Sequence, residues 1–242
     1  MRIPLTCMQC NGNEKKLNYP ATLQDNGLYK LKCKNGHESI IYLQEQKFET
    51  LFDLAVNAIL DGYYREAVSS FTSSLECFYE FYIKVIAIKH NVSEKVYLKS
   101  WKSIKKQSER QLGAYILLYT IENDKEPPLL HNNKIEFRNK VIHRGRIPSK
   151  EDAISYGETV LDIISPALHN LKKNENDHVQ TAVLEHVEDI HNKIKDDKFV
   201  SLMSISTTLS IVNDLSVPQQ SLKNAMNRYS RLKRSCRNGK RV

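Results

Sequence analysis

A chain of 242 residues, 40% of them hydrophobic and 26% charged, has the make-up of a globular protein with room for one fair-sized core and a smaller module. No apolar stretch approaches the roughly 20 residues that span a bilayer, which excludes a helical membrane protein; residues 1–7 show no export leader, so a cytoplasmic location with reduced thiols is expected. The net charge of +8 is localised, because residues 222–242 hold eight basic residues and no acid, leaving 28 basic residues against 28 acidic ones elsewhere.

The chain opens on a cluster of three cysteines. Cys7 and Cys10 form a C-x2-C knuckle, and Cys33 and His37 supply a second pair after 22 intervening residues. Three thiols and an imidazole in two pairs suit a tetrahedral zinc ion with a structural role, since all four positions would be filled by protein and none left for a reactive water. Residues 16–19, 28–32 and 38–43 read as short strands, and Asn11-Gly12 and Asn35-Gly36 provide positive-φ turns around the metal. Residues 1–44 therefore resemble a zinc ribbon, a module too small to fold on its own core without the metal.

From about Glu45 the apolar spacing becomes helical. Phe48, Leu51, Phe52, Ala55 and Ile59 mark a first helix that Asp61-Gly62 ends, and residues 64–90 form a long, strongly apolar second helix expected at the centre of the bundle. A lysine-rich third helix runs from Ser93 through Trp101 and Ile104, with an exposed face, and an apolar segment covers residues 115–121 before Pro127-Pro128. A helix is expected over residues 132–144, stopping at Gly145. Ser149 with Asp152 resembles a capping box that opens a last bundle helix, bent or ended at Pro166. Beyond residue 174 a further helix over 179–194, a mixed apolar segment over 199–212 and the basic tail make up a C-terminal extension, 174–242. The fold class expected is mainly α, a helical bundle over 45–173 preceded by a small β ribbon.

On the helix of residues 132–144, Phe137 and Val141 share a core-facing side, while Asn139 and His143, four residues apart, share a polar one. Arg138 sits about 100° away, within reach of the same rim. The run Arg138-Asn139-Lys140-Val141-Ile142-His143, followed by Gly145, resembles the R-x4-H signature of the HEPN superfamily of ribonucleases, and the likeness extends over about residues 48–171. That resemblance implies a bundle that pairs as a homodimer, with two motifs facing each other, and metal-independent cleavage of RNA by its own 2′-hydroxyl. His143 would move protons, Arg138 would stabilise the charged phosphorane, Asn139 would orient the histidine or a phosphate, and Arg144 and Arg146 would hold neighbouring phosphates. Glu76, on the second helix, would turn inward to fix Arg138, against the simpler reading of a solvated acid; Glu80 has a weaker claim to that role.

Zinc is thus the expected cofactor, with none needed for catalysis, and RNA the expected partner. In the tail, Arg231, Lys233 and Arg234 are candidate phosphate contacts, with a merely solvated tail as the alternative. The remaining histidines, including His186 and His191, read as surface residues, Cys77 as core and Cys236 as a tail thiol. The activity implied is that of a toxin or anti-phage effector restrained by an antitoxin or regulatory protein. The alternatives are a non-catalytic module that binds nucleic acid or protein, and a bundle that serves only as a dimerising antitoxin or as the partner of a nucleotidyltransferase.

Overall fold

The computed structural model describes residues 1–10, 18–194, 199–212 and 221–237, the last with side chains as far as Lys233. They pack as two units. The first comprises described residues of Met1–Gln46, Val183–Ser206 and Asn227–Val242; the second, those of Lys47–Ala182 and Thr207–Met226.

In the first unit, β1 (Arg2–Thr6) pairs antiparallel with β2 (Asn18–Thr22), and β3 (Leu28–Lys32) with β4 (Glu38–Leu43). Along β1 and β3 buried and exposed residues alternate, so Ile3, Leu5, Tyr29 and Leu31 fill one small core with Ile41 and Leu43. Two strands are additions to the sequence reading. One is β1, whose Pro4 masks its short apolar alternation. The other is β5 (Phe199–Met203), which lies parallel against β4 with Ser39 opposite Phe199 and Leu43 opposite Met203. The expected strand start at residues 16–17 and the Asn11-Gly12 turn lie outside the described residues.

The second unit is helical, built from α1 (Lys47–Leu60), α2 (Tyr64–Lys89), α3 (Glu94–Ile104), α4 (Ser108–Asn123), α5 (Asn132–His143) and α6 (Lys150–Asn174). Two further helices, α7 (Asn176–His191) and α8 (Leu222–Arg237), run from one unit's residues into the other's. The mainly α architecture with a small β module first is thus what the sequence implies. As expected, α2 is central: α1, α4, α5 and α6 all pack on it, through rings such as Phe48 on Phe78 (5.5 Å) and Phe52 on Phe71 (4.9 Å). No helix among the described residues is long and apolar enough to cross a membrane.

Pro166 does not end the last bundle helix, because α6 continues to Asn174. The proline and Asp162, whose carbonyl loses its intrahelical donor, are both exposed, so that carbonyl is left to water. Ile163, Ile164, Ala167 and Leu168 are buried on the other side and hold the helix on the core.

Residues 174–242 divide between the two units, and part of their anchorage is a ladder of buried acids. Glu45, Glu49 and Asp53 stand four apart and are at most 6% exposed. In the first unit Glu45 accepts from the Ser204 hydroxyl and the Ile205 amide, both at 2.7 Å. In the second, Glu49 accepts from Thr207 Oγ1 and the Ile211 amide, both at 3.1 Å, and Asp53 from the amide and hydroxyl of Thr208.

Candidate functional site

Helix α5 begins after His131 and ends where the sequence reading ends it. Arg144 caps it and Gly145 follows at φ +70°, a left-handed turn that lets the Arg146 amide return to the Lys140 carbonyl at 3.0 Å. The next helix opens through the expected capping box: the Ser149 hydroxyl accepts from the Asp152 amide at 3.0 Å and the Asp152 carboxylate from the Ser149 amide at 3.2 Å. That short, doubly fixed connection sets the C-terminal end of α5, where His143 lies.

Around the helix, Val141 is fully buried and Phe137 half-buried, its ring against Tyr156 at 5.7 Å. Asn139 is half-buried, and His143 and Arg144 are exposed. His143 has no hydrogen-bond partner among the described residues. Arg146, expected on a phosphate, is exposed; it bonds Asp152 at 3.0 Å and lies over the Phe137 ring at 5.1 Å. Its role here is to brace the turn after the motif. Lys140 pairs with Glu136 at 2.8 Å, so it too is drawn along α5.

Arg138 is half-buried, and its Nε atom is fully buried without a hydrogen-bond partner. The guanidinium acts on three groups from neighbouring helices, Glu76 and Tyr79 of α2 and Tyr156 of α6. Burial pushes the Glu76 carboxyl above the usual carboxylate range; the Arg138 charge works against that and Glu109 adds to it. Arg138 and Glu76 are therefore electrostatic neighbours. Glu80, one turn further along α2, belongs elsewhere, since it takes a hydrogen bond from Trp101 and is surrounded by Lys105, Lys47 and Lys84. Tyr79 and Tyr156 are buried and lie beyond what the motif shows. Both sit at ordinary core spacing on apolar helices, so nothing in the sequence distinguishes them from packing residues.

The cysteine cluster is assembled by the two turns of the first unit. Cys7 precedes and Cys10 ends a single helical turn, Met8–Cys10, and Cys33 and His37 close the β3–β4 hairpin, where Gly36 takes φ +81°. The ligand atoms of Cys7, Cys10, Cys33 and His37 all lie within 4.8 Å of one another. Cys10 Sγ is 3.7 Å from Cys33 Sγ and 3.2 Å from His37 Nδ1, and Cys7 Sγ is 3.8 Å from the same nitrogen. Burial pushes the Cys10 thiol up to about 11, with the neighbouring thiols adding to the effect. Cys33 is held down at about 7 against its burial by hydrogen bonds from the His37 and Asn35 backbones, an arrangement that favours a thiolate ligand. These four residues can hold a metal ion, and they are the only such group among the described residues.

The remaining expectations are more dispersed. Arg231 is exposed and Lys233 half-buried on α8, while the side chain of Arg234 and that of Cys236 lie outside the described residues. His178 is tied to Glu175 at 3.0 Å and His191 lies near the Tyr42 ring, 6.1 Å away, so neither stands in a metal-ligand group. No protein-family model, curated protein or solved structure matches this chain.

Proposed function

We propose that the chain is a metal-independent endoribonuclease of the HEPN type that acts as a homodimer, with α5 carrying half of each cleavage site. The observation that carries this reading is the graded exposure of the motif. Arg138 is sunk against Glu76 with a donor to spare, Asn139 is half-buried, and His143 stands open to solvent one helical turn on. A cation and an accessible imidazole carried on one helix are the two groups that cleavage by the 2′-hydroxyl would use. The oxygen attacks phosphorus as His143 takes its proton, the charge on the phosphorane falls to the guanidinium, and the 5′-oxygen leaves with a proton. One imidazole cannot be base and acid in the same step, so the second histidine belongs to a second copy. Leu117 and Ile121, one turn apart on α4 and both about 60% exposed, and Ile147, 82% exposed beside the motif's turn, are apolar side chains that such a copy would cover.

Cys7, Cys10, Cys33 and His37 would bind zinc. Metal–sulfur bonds of about 2.3 Å in a tetrahedron set sulfur–sulfur edges of about 3.8 Å, matching the 3.7 Å between Cys10 and Cys33. The ion would fold the first unit and take no part in cleavage. Arg144 of α5 and Arg231, Lys233 and Arg234 of α8 would contact RNA phosphates. The biological role that fits is a toxin or anti-phage effector in the cytoplasm, held in check by an antitoxin or regulatory protein.

The test is incubation of the purified protein with RNA in EDTA, followed by end analysis. Fragments bearing 2′,3′-cyclic phosphate and 5′-hydroxyl ends are expected. Intact RNA, bound or unbound, would replace this reading with that of a non-catalytic module.

A further inference from the structure

Helix α3 and the turn after it carry a concentration of positive charge that the motif does not use. Residues 94–110 contain Lys95, Lys99, Lys102, Lys105, Lys106 and Arg110 against two acids, Glu94 and Glu109. All six basic residues are exposed, and none forms an ion pair among the described residues. The helix has a clear inner side: Trp101 is 7% exposed, stacks on Tyr97 at 6.1 Å and donates to Glu80 of α2. At 100° per residue, Lys95, Lys99 and Lys102 fall within about 60° of one another on the side opposite Tyr97, Trp101 and Ile104. Like charges at this spacing destabilise a helix, and a polyanion laid along this outward stripe would relieve that repulsion.

We infer that this lysine stripe binds the phosphate backbone of the RNA strand cut at α5. The inference rests on the reading of α5 as an RNA-cleaving site. Its bridge to that site is α2, whose Glu80 anchors Trp101 of α3 while Glu76, one turn earlier, is the neighbour of Arg138. Glu109, at the start of α4, also acts on Glu76, and α4 packs on α2 as α5 does. Flexible lysine stems suit successive phosphates without reading bases. A lipid surface fits less well. The exposed apolar residues of α3, Val96 and Leu98, project about 100° and 60° to either side of the stripe and form no single apolar face. The face that could enter a bilayer is already turned inward on Trp101.

The experiment measures binding of a fluorescein-labelled, uncleavable 2′-O-methyl RNA strand to the full chain at several salt concentrations. The wild type is compared with Lys95→Glu/Lys99→Glu/Lys102→Glu and with the same three positions changed to Gln, each checked for native circular dichroism. Cleavage of ordinary RNA is followed in parallel. Expected are a loss of affinity on the order of tenfold for the Glu variant, a smaller loss for the Gln variant, and a salt dependence shallower by about 2 in log–log slope for three lost contacts. Undiminished RNA binding by the Glu variant overturns the inference while leaving wild-type cleavage, and hence the α5 reading, intact. So does a loss confined to phosphatidylserine-containing vesicles or to an acidic peptide. If the wild type binds but never cleaves RNA, and the Glu variant still loses binding, the nuclease reading falls and the lysine stripe stands as an RNA-binding surface.

Discussion

Glu76 and Arg138 show how two side chains can be read against each other. Burial raises the Glu76 carboxyl and Arg138 opposes that rise without cancelling it. A carboxyl whose folded pKa exceeds its unfolded one contributes stability below the unfolded value, near 4.3, and loses that contribution as pH rises through the folded value. Glu76→Gln removes this dependence. Thermal melts should therefore show the variant gaining on the wild type at pH 7 and the difference shrinking towards pH 4, while RNA cleavage falls because Arg138 loses its carboxylate neighbour. A variant less stable than the wild type at pH 7, with activity unchanged, would mean that Glu76 merely packs. The residues of the motif were legible in sequence because a fixed spacing on one helix fixes their faces. Their partners Tyr79 and Tyr156 were not, since an aromatic that packs and an aromatic that borders a guanidinium carry the same apolar pattern. The contacts of Arg146 with Asp152 and Phe137 were hidden for a related reason: a basic residue beside a motif suggests a phosphate, and only the fold shows which side chains of the chain lie against it.

At the level of elements, local signals translated directly. The Ser149–Asp152 capping box, the Gly145 stop and the two ligand pairs each lie within a few residues of one another, so backbone geometry follows from the sequence alone. What could not be read are the pairings between distant segments. Strand β5 joins β4 across more than 150 residues, and Glu45, Glu49 and Asp53 look like an ordinary solvated stripe until the amides of Ile205, Thr208 and Ile211 are laid against them. Asp53→Ala strips the Thr208 amide and hydroxyl of their acceptor in a fully buried position. The expected cost is about 1–3 kcal/mol in chemical denaturation, and a change within error would show that this segment contributes nothing to the helical unit. A second packing constraint lies at Gly157 of α6, where an added Cβ would meet the Phe71 ring at 2.6 Å. Gly157→Ala should cost about 1–3 kcal/mol by overpacking, read from the same denaturation curves; an unchanged midpoint would show that the ring can yield.

For the whole molecule, the proposed reading adds a metal ion and a second copy of the chain. The first unit has a core of a few strand residues, so removing zinc with a strong chelator under denaturing conditions and refolding without it should abolish its strand signal in circular dichroism, and returning zinc should restore it. Refolding to the same spectrum without metal would make the cysteine cluster dispensable. Pairing is tested by Leu117→Glu/Ile121→Glu, which should convert a dimer to a monomer in sedimentation and lower cleavage with it. A wild type that is already monomeric at working concentration and still cleaves would contradict a shared site.

The motif of α5 itself is tested most directly by cleavage in EDTA, with wild type, His143→Ala, Arg138→Ala and the control His131→Ala assayed side by side on one RNA. Wild type and His131→Ala should cut at the same rate. The two motif variants should lose on the order of a hundredfold or more, with native circular dichroism. Cleavage undiminished in both motif variants would contradict the assignment of the site.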